Sequence, residues 1–384
     1  MMNEKVKLGA AIGGGLAVAG GVWAAAGLPL SAASQYVWFV LSAISLGLLA
    51  YTFEVSKRNL QRLAGVTLLL AGLITALGWS SENAFGRSNV LSKLNQHGEY
   101  GIVCIGAGLL ILTGGIDLSI GSVVGLSAIG FGVLMEKGVP PVLALLLVLL
   151  SGMLIGAIHG LLVTQRGVQA FLVTLCGMFV YRGLARTICA GSTGMETVSL
   201  KHEEFRESLR QLRLWLTGIG LDERLSFPAQ FVVMLTLAGV AAVFLHRSAF
   251  GRYWYAIGYN QQAAQYAGVT VWRHKVAVFC VCSMLASLAG VVRFLSAGSV
   301  APSSEGQSYE LYAITAAVLG GVSLRGGEGT AVGMVLGAMV LPVVNTLMNF
   351  TECPPAWEPW IIGLILLFGT VADELIRRRS KVNR

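Results

Sequence analysis

The stretch Leu112-Thr-Gly-Gly-Ile-Asp-Leu-Ser-Ile-Gly-Ser122 sets one carboxylate, Asp117, behind two glycines, between apolar residues that run in from Ile102 and out to Met135. An ionisable group at membrane depth is expensive and is by default a functional candidate. A carboxylate there can take strong, charge-assisted hydrogen bonds from hydroxyl groups. Ser119 lies two residues on, and His159, Glu310 and Ser323 are further polar side chains in or beside apolar runs. Together they suit a path for a polar solute; Asp117, His159 and Glu310 would also serve as the ion site of a proton- or sodium-coupled carrier. His159 has a plainer reading too, as a satisfied core histidine. No constellation for bond-making stands out: there is no phosphate loop ending in Gly-Lys-Ser/Thr, no zinc-protease helix, no nucleophile elbow and no paired carboxylates. The expected chemistry is recognition and passage, with no catalytic residue, no metal site and no cofactor on this chain.

The elements that must position these residues are apolar helices. Of 384 residues, 55% are hydrophobic and 12% charged, against about 25% charged in soluble domains. Mean hydropathy is +0.72. This is an all-α polytopic membrane protein. Apolar spans fall near 8–28, 36–53, 63–79, 101–112, 119–135, 141–163, 171–190, 231–245, 275–295, 309–320, 330–347 and 360–376. The first follows Lys5 and Lys7 and is longer than a signal-peptide core, so it reads as a retained helix. If the N-terminus is inside and the spans alternate, inside segments hold 16 Lys and Arg and outside segments 8, five of these in one long loop. Both termini are then cytoplasmic. The net charge of +8 therefore reflects topology, not a nucleic-acid face. Segment 191–230 lies outside and carries mixed charge with an amphipathic helix; segment 246–274 lies inside and is too long for a simple turn. Six cysteines, mostly within apolar runs, read as small buried residues.

The chain repeats itself. Gly114-Gly-Ile-Asp-Leu-Ser-Ile-Gly121 aligns with Gly320-Gly-Val-Ser-Leu-Arg-Gly-Gly327, each between two apolar runs. Paired interruptions of this kind point to broken helices and a transport pathway. Gly114, Gly115, Gly320 and Gly321 are the expected helix breaks. Asp117 and Ser323 are good N-cap residues, so Asp117 would cap a helix beginning at Leu118 and Ser323 its counterpart. A capped helix start inside a membrane borders a polar cavity, so capping and solute contact are compatible. Gly121, Gly125, Gly333 and Gly337 would allow close helix packing. Trp79, Trp357 and Trp360 fit interfacial anchors.

Read as a whole, the Leu112–Ser122 stretch resembles the signature of the permease subunits of ribose-type ATP-binding-cassette (ABC) importers. Further likenesses follow in order: Phe171-Leu-Val-Thr-Leu-Cys-Gly177 with Arg182-Gly183, Phe250-Gly-Arg-Tyr-Trp-Tyr-Ala-Ile-Gly258 with Asn260, Tyr309-Glu-Leu311 with Ala313-Ile314, and Gly320–Gly327. They cover the chain from about residue 63 to its end. The departures, Gln169-Ala170, His159-Gly160, Arg325 and Glu328, bear on the solute rather than on the class. The span count gives about 10–12 transmembrane helices, and the extent of the resemblance sets 1–62 apart as an extra N-terminal pair from the permease core at 63–384. It implies a place in a bacterial inner membrane and import of a monosaccharide or related polyol. Gln262-Ala-Ala-Gln-Tyr-Ala-Gly268 resembles the family's ATPase-docking pattern. Gly258, Asn260, Gln262, Ala263, Ala264 and Gly268 are the implied coupling residues, with small side chains that seat in a partner's groove. The implied partners are ABC ATPase subunits, a periplasmic solute-binding protein, a second permease copy or close paralogue, and the bilayer. An ion-coupled secondary transporter is the competing reading, and it has no evident use for such a segment.

The Lys/Arg asymmetry gives a direct expectation. Cysteine introduced at Tyr259 should react only with reagent supplied from the cytoplasmic side, and cysteines within 191–230 only from the outside. Outside labelling at position 259 would invert the topology.

Overall fold

The computed structural model describes residues 57–80, 86–193, 197–199, 206–219 and 227–382. The spans expected at 8–28 and 36–53 lie outside these residues. Thirteen helices are present among them: α1 (Lys57–Ser80), α2 (Arg87–Leu112), α3 (Ile120–Glu136), α4 (Pro141–Gln165), α5 (Ala170–Thr193), α6 (Arg206–Thr217), α7 (Ala229–Arg247), α8 (Ala249–Tyr259), α9 (Gln261–Tyr266), α10 (Val271–Ala297), α11 (Tyr309–Leu319), α12 (Ala331–Phe350) and α13 (Glu358–Val382). Five of them, α4, α5, α7, α10 and α12, are long and apolar enough to cross a bilayer. The apolar helices α3 and α11 have only 17 and 11 residues, which rise about 26 and 17 Å. Each falls short of a hydrocarbon core of about 30 Å.

The core is built on α10. It packs along α4, α3 and α2, and Val278, Phe279, Cys282, Ala289, Val291, Val292 and Phe294 on it are buried. The α4–α10 contact is set by glycine. Gly152, Gly156 and Gly160 recur every fourth residue along one face of α4. A Cβ on Gly156 would overlap the Phe279 carbonyl, and one on Gly160 would stand 2.6 Å from the Val276 Cα. Lipid tails offer no hydrophobic reward for bringing helices together, so backbone-to-backbone approach of this kind supplies the attraction. The glycines expected to pack closely do so: a Cβ on Gly125 would stand 2.8 Å from the Glu305 carbonyl oxygen, and Gly333 and Gly337 abut the Gly320 and Ala316 carbonyls. The sequence reading did not single out the α4 stripe. The outer faces of α4, α5 and α7 carry Leu150, Leu154, Phe179, Val180 and Val240, all exposed. This is a surface suited to lipid or to another membrane protein.

Within 191–230 the expected amphipathic helix is α6. Leu209 is its buried contact, and Arg213 Nε donates to the Leu295 carbonyl at 2.9 Å, fastening it to the end of α10. A two-residue antiparallel pairing, β1 (Val198–Ser199) with β2 (Ser299–Val300), ties the same segment to the residues after α10. Cys104, Cys189 and Cys282 are buried as expected, whereas Cys176 is exposed.

Gly156→Ala should weaken the fold by about 1–3 kcal/mol, the usual cost of overpacking. Gly239→Ala, where an added Cβ meets nothing within 4 Å, should be neutral or slightly stabilising. Thermal unfolding in detergent checks both, and equal melting temperatures for the two variants would remove the glycine stripe from the account.

Candidate functional site: a buried polar cluster and the segment between α7 and α10

The two glycine pairs end helices in the same way. Beyond Leu112, the Gly115 N–H donates to the Leu110 carbonyl at 3.1 Å and the Gly114 N–H to that of Ile111 at 2.8 Å. Beyond Leu319, Val322 donates to Ala317 at 3.0 Å and Gly321 to Val318 at 2.9 Å. Both are Schellman closures, which need a left-handed residue just past the helix. Gly114 and Gly321 supply it, with φ of 77° and 86°. The equivalent turns are therefore Gly114 and Gly321, one position out of register with the sequence alignment.

The expected caps are not where the alignment put them. Helix α3 begins at Ile120, with Ser119 at the N-cap position and no side-chain cap bond. Asp117 lies earlier. Its Oδ1 accepts from the Ser119 N–H at 2.7 Å and from Ser119 Oγ at 2.6 Å. This is an Asx turn, which a short carboxylate favours because it can bond the backbone two residues on. The counterpart helix α12 starts at Ala331 and is capped by Thr330, whose Oγ1 accepts from the Gly333 N–H at 3.0 Å. Ser323 instead belongs to the turn after α11. Its N–H donates to the Glu328 carbonyl at 2.9 Å and its own carbonyl accepts from Gly326 at 2.8 Å.

With one oxygen engaged, Asp117 is 2% exposed and its Oδ2 has no hydrogen-bond partner among the described residues. It stands within electrostatic reach of His159, Tyr181, Cys282 and Glu310, and α4, α5, α10 and α11 all pack against α3, the helix that follows it. His159 Nε2 pairs with Tyr181 Oη at 2.9 Å, and Nδ1 has no partner among the described residues. Glu310, 9% exposed, points Oε2 at the backbone of Gly121, where a Cβ would overlap it; that oxygen also has no partner among the described residues. Asp117, Ser119, His159 and Glu310 thus come together. Buried polar atoms without partners are costly, and here three of them face inward across helices.

A second polar group lies beside it, and the sequence reading missed it. Glu99, on α2 and 4% exposed, accepts a short hydrogen bond from Tyr309 Oη. Arg293, on α10, donates from Nε to Glu305 at 2.8 Å and reaches Glu99 at 4.0 Å, its side chain 40% exposed. Tyr312 Oη and Asn345 Nδ2 both donate to Glu358 Oε1, at 2.8 and 3.0 Å. Tyr309 immediately precedes Glu310, so both groups meet on the first turn of α11. A signal was available: of the 27 Lys and Arg residues, only Arg182, Arg186 and Arg293 lie within apolar spans other than at a span's first residue.

The segment between α7 and α10 forms two short helices. Ser248 Oγ caps α8 by accepting from Gly251 at 2.9 Å, and Asn260 Oδ1 caps α9 by accepting from Ala263 at 3.0 Å. Gln262, Ala263, Ala267 and Gly268 are exposed, but Ala264 is buried against Ile257 and Val271. Ala264 therefore packs internally, while still lining the floor of the groove beside α8. Gly258 also turns inward, against the carbonyl of Leu112. A groove of about 500 Å³ opens beside Tyr255, Ala256, Tyr259, Asn260, Ala263 and Ala267.

The chain belongs to the family described as "Branched-chain amino acid transport system / permease component", which matches residues 89–369. It is a multi-pass membrane permease. The ribose import permease protein RbsC of Haemophilus influenzae is 31% identical over 324 residues, covering 84% of this chain and 96% of that protein. The Escherichia coli K12 ribose import permease is 33% identical over 306 residues, 80% of this chain and 92% of that one. The autoinducer 2 import system permease protein LsrC of Yersinia enterocolitica is 32% identical over 335 residues, 85% of this chain and 86% of that one. No solved structure matches.

Asp117→Ala removes the acceptor for the buried Ser119 N–H and should cost about 1–3 kcal/mol. Asp117→Asn keeps that acceptor and should melt close to wild type. Thermal unfolding of the purified variants checks this, and a stable alanine variant would mean that the Asx turn is dispensable.

Proposed function

We propose that this chain is the transmembrane permease subunit of an ABC importer. It forms the pathway for a monosaccharide or related polyol in a bacterial inner membrane, with both termini cytoplasmic. A periplasmic binding protein delivers the solute to the outer loops. Separate ATPase subunits dock on the 246–274 loop, and a second copy or close paralogue completes the pathway. Residues 1–62 add a helix pair to the core at 63–384. The permease makes no covalent bond, so ATP hydrolysis belongs to the partner.

The observation that carries this reading is α9. In a chain of the permease-component family, it is a short helix held outside the packed core between two long spans. Every residue of it but Ala264 is exposed, Gln262, Ala263 and Tyr266 among them, as is Ala267 at its end. A carrier that works alone has no use for such a face. The buried cluster supports the rest. Asp117 Oδ2, Glu310 Oε2 and the His159 Nδ1 nitrogen offer hydrogen-bonding positions that sugar hydroxyls, each both donor and acceptor, can satisfy. The relatives named for ribose import support the monosaccharide class.

The permease reconstituted in proteoliposomes with its ATPase and binding protein should take up labelled ribose or another labelled monosaccharide only when ATP is enclosed with the ATPase. Asp117→Asn should lower uptake at least tenfold while leaving the melting temperature unchanged, because the amide cannot supply the charged acceptor. Uptake driven by a sodium or proton gradient without the ATPase would replace this reading with the ion-coupled one. Full uptake by the asparagine variant would take Asp117 off the solute path.

A further inference from the structure

Three stretches of bare backbone meet where α2, α8 and the turn after α11 converge. The Gly327 N–H donates to the Leu112 carbonyl at 2.8 Å. Gly258, on the last turn of α8, sits directly on this pair: a Cβ there would overlap the Leu112 carbonyl oxygen and the Gly327 nitrogen. A Cβ on Gly326 would stand 2.8 Å from the Gly114 nitrogen and 2.9 Å from the Gly258 Cα, and one on Gly327 would stand 2.7 Å from the Tyr259 nitrogen. Tyr255 closes the contact one turn back, its Oη donating to the Gly329 carbonyl at 2.8 Å. Burial pushes the Tyr255 phenol up to about 12, so it remains a donor at every physiological pH.

At these points the nearest approach is backbone to backbone. Packed backbone of this kind transmits displacement, because close-packed interiors yield little. At its other end, α8 passes straight into α9 through Asn260, whose N–H donates to the Ala256 carbonyl at 3.0 Å while its side chain caps α9. On the far side of the joint, Gly114 is three residues from Asp117. From these contacts we infer that α8 is a rigid lever, and that Gly258 and Tyr255 are positioning residues that carry movement of the docking helix α9 to both helix breaks at once, and so to the Asp117 turn. The inference rests on the proposal that α9 docks an ATPase subunit.

Hydrogen exchange of the full-length permease, alone and with its ATPase subunit bound, tests the two ideas separately. Docking predicts slowed exchange in 260–268. The lever predicts, in addition, an altered exchange rate of at least threefold in 113–119 and 322–329. Tyr255→Phe and Gly258→Ala should keep the protection of 260–268 and lose the distant response. Protection of 260–268 with no distant change in the wild type, or a distant change that both variants retain in full, overturns the lever and leaves docking standing. If 260–268 is not protected in the wild type, docking fails and the lever falls with it. If Gly258→Ala does not fold, Tyr255→Phe decides alone, since it removes one hydroxyl and adds no bulk.

Discussion

A helix that stops inside a membrane leaves carbonyls and N–H groups that water cannot reach, and the protein itself must satisfy them. The hydrogen bond from Gly327 to the Leu112 carbonyl meets this constraint for both interruptions together. The two Schellman turns close most of each broken end locally. What remains is offered across the gap, from one repeat to the other. Because that bond runs backbone to backbone, only glycine fits around it, and a third element, α8, can press against it. The arrangement of the breaks, the position of Asp117 and the link to the 246–274 segment all follow from this one meeting point.

The polar interior is consistent with the same logic. A soluble protein can leave a carboxylate to water, whereas a bilayer protein must bond it internally or present it to a ligand. The structure does one or the other at different sites. Glu99, Glu305 and Glu358 are bonded by Tyr309, Arg293, Tyr312 and Asn345, which fasten α2, α10, α11, α12 and α13 to one another. Asp117 and Glu310 keep one oxygen unbonded among the described residues. The bonded set has the features of scaffold and the unbonded set those of a recognition surface, although both lie on the first turn of α11 or face it.

The sequence by itself determined the class, the spans among the described residues to within a few residues at most ends, the glycine interruptions and a short helix near Gln262–Gly268. These are local properties. Hydropathy is summed over consecutive residues, and a left-handed closure needs a glycine at one position. The grouping of Asp117, Ser119, His159 and Glu310 was half legible, since each was conspicuous as a polar residue among apolar ones, but nothing local said that they shared one place. The tertiary structure alone decided the register of the repeat, because Gly114 and Gly321 are matched by hydrogen bonding and not by motif alignment. It alone moved Asp117 from a cap to an Asx turn and gave the cap of the matching helix to Thr330. It alone turned Ala264 and Gly258 inward, where their small size serves internal packing; sequence shows that a residue is small, not what it is small for. And it alone paired Arg293 with Glu305 and Glu99, residues 12 and 194 positions away, because a buried charge selects its partner by proximity in space, which the order of residues along the chain does not contain.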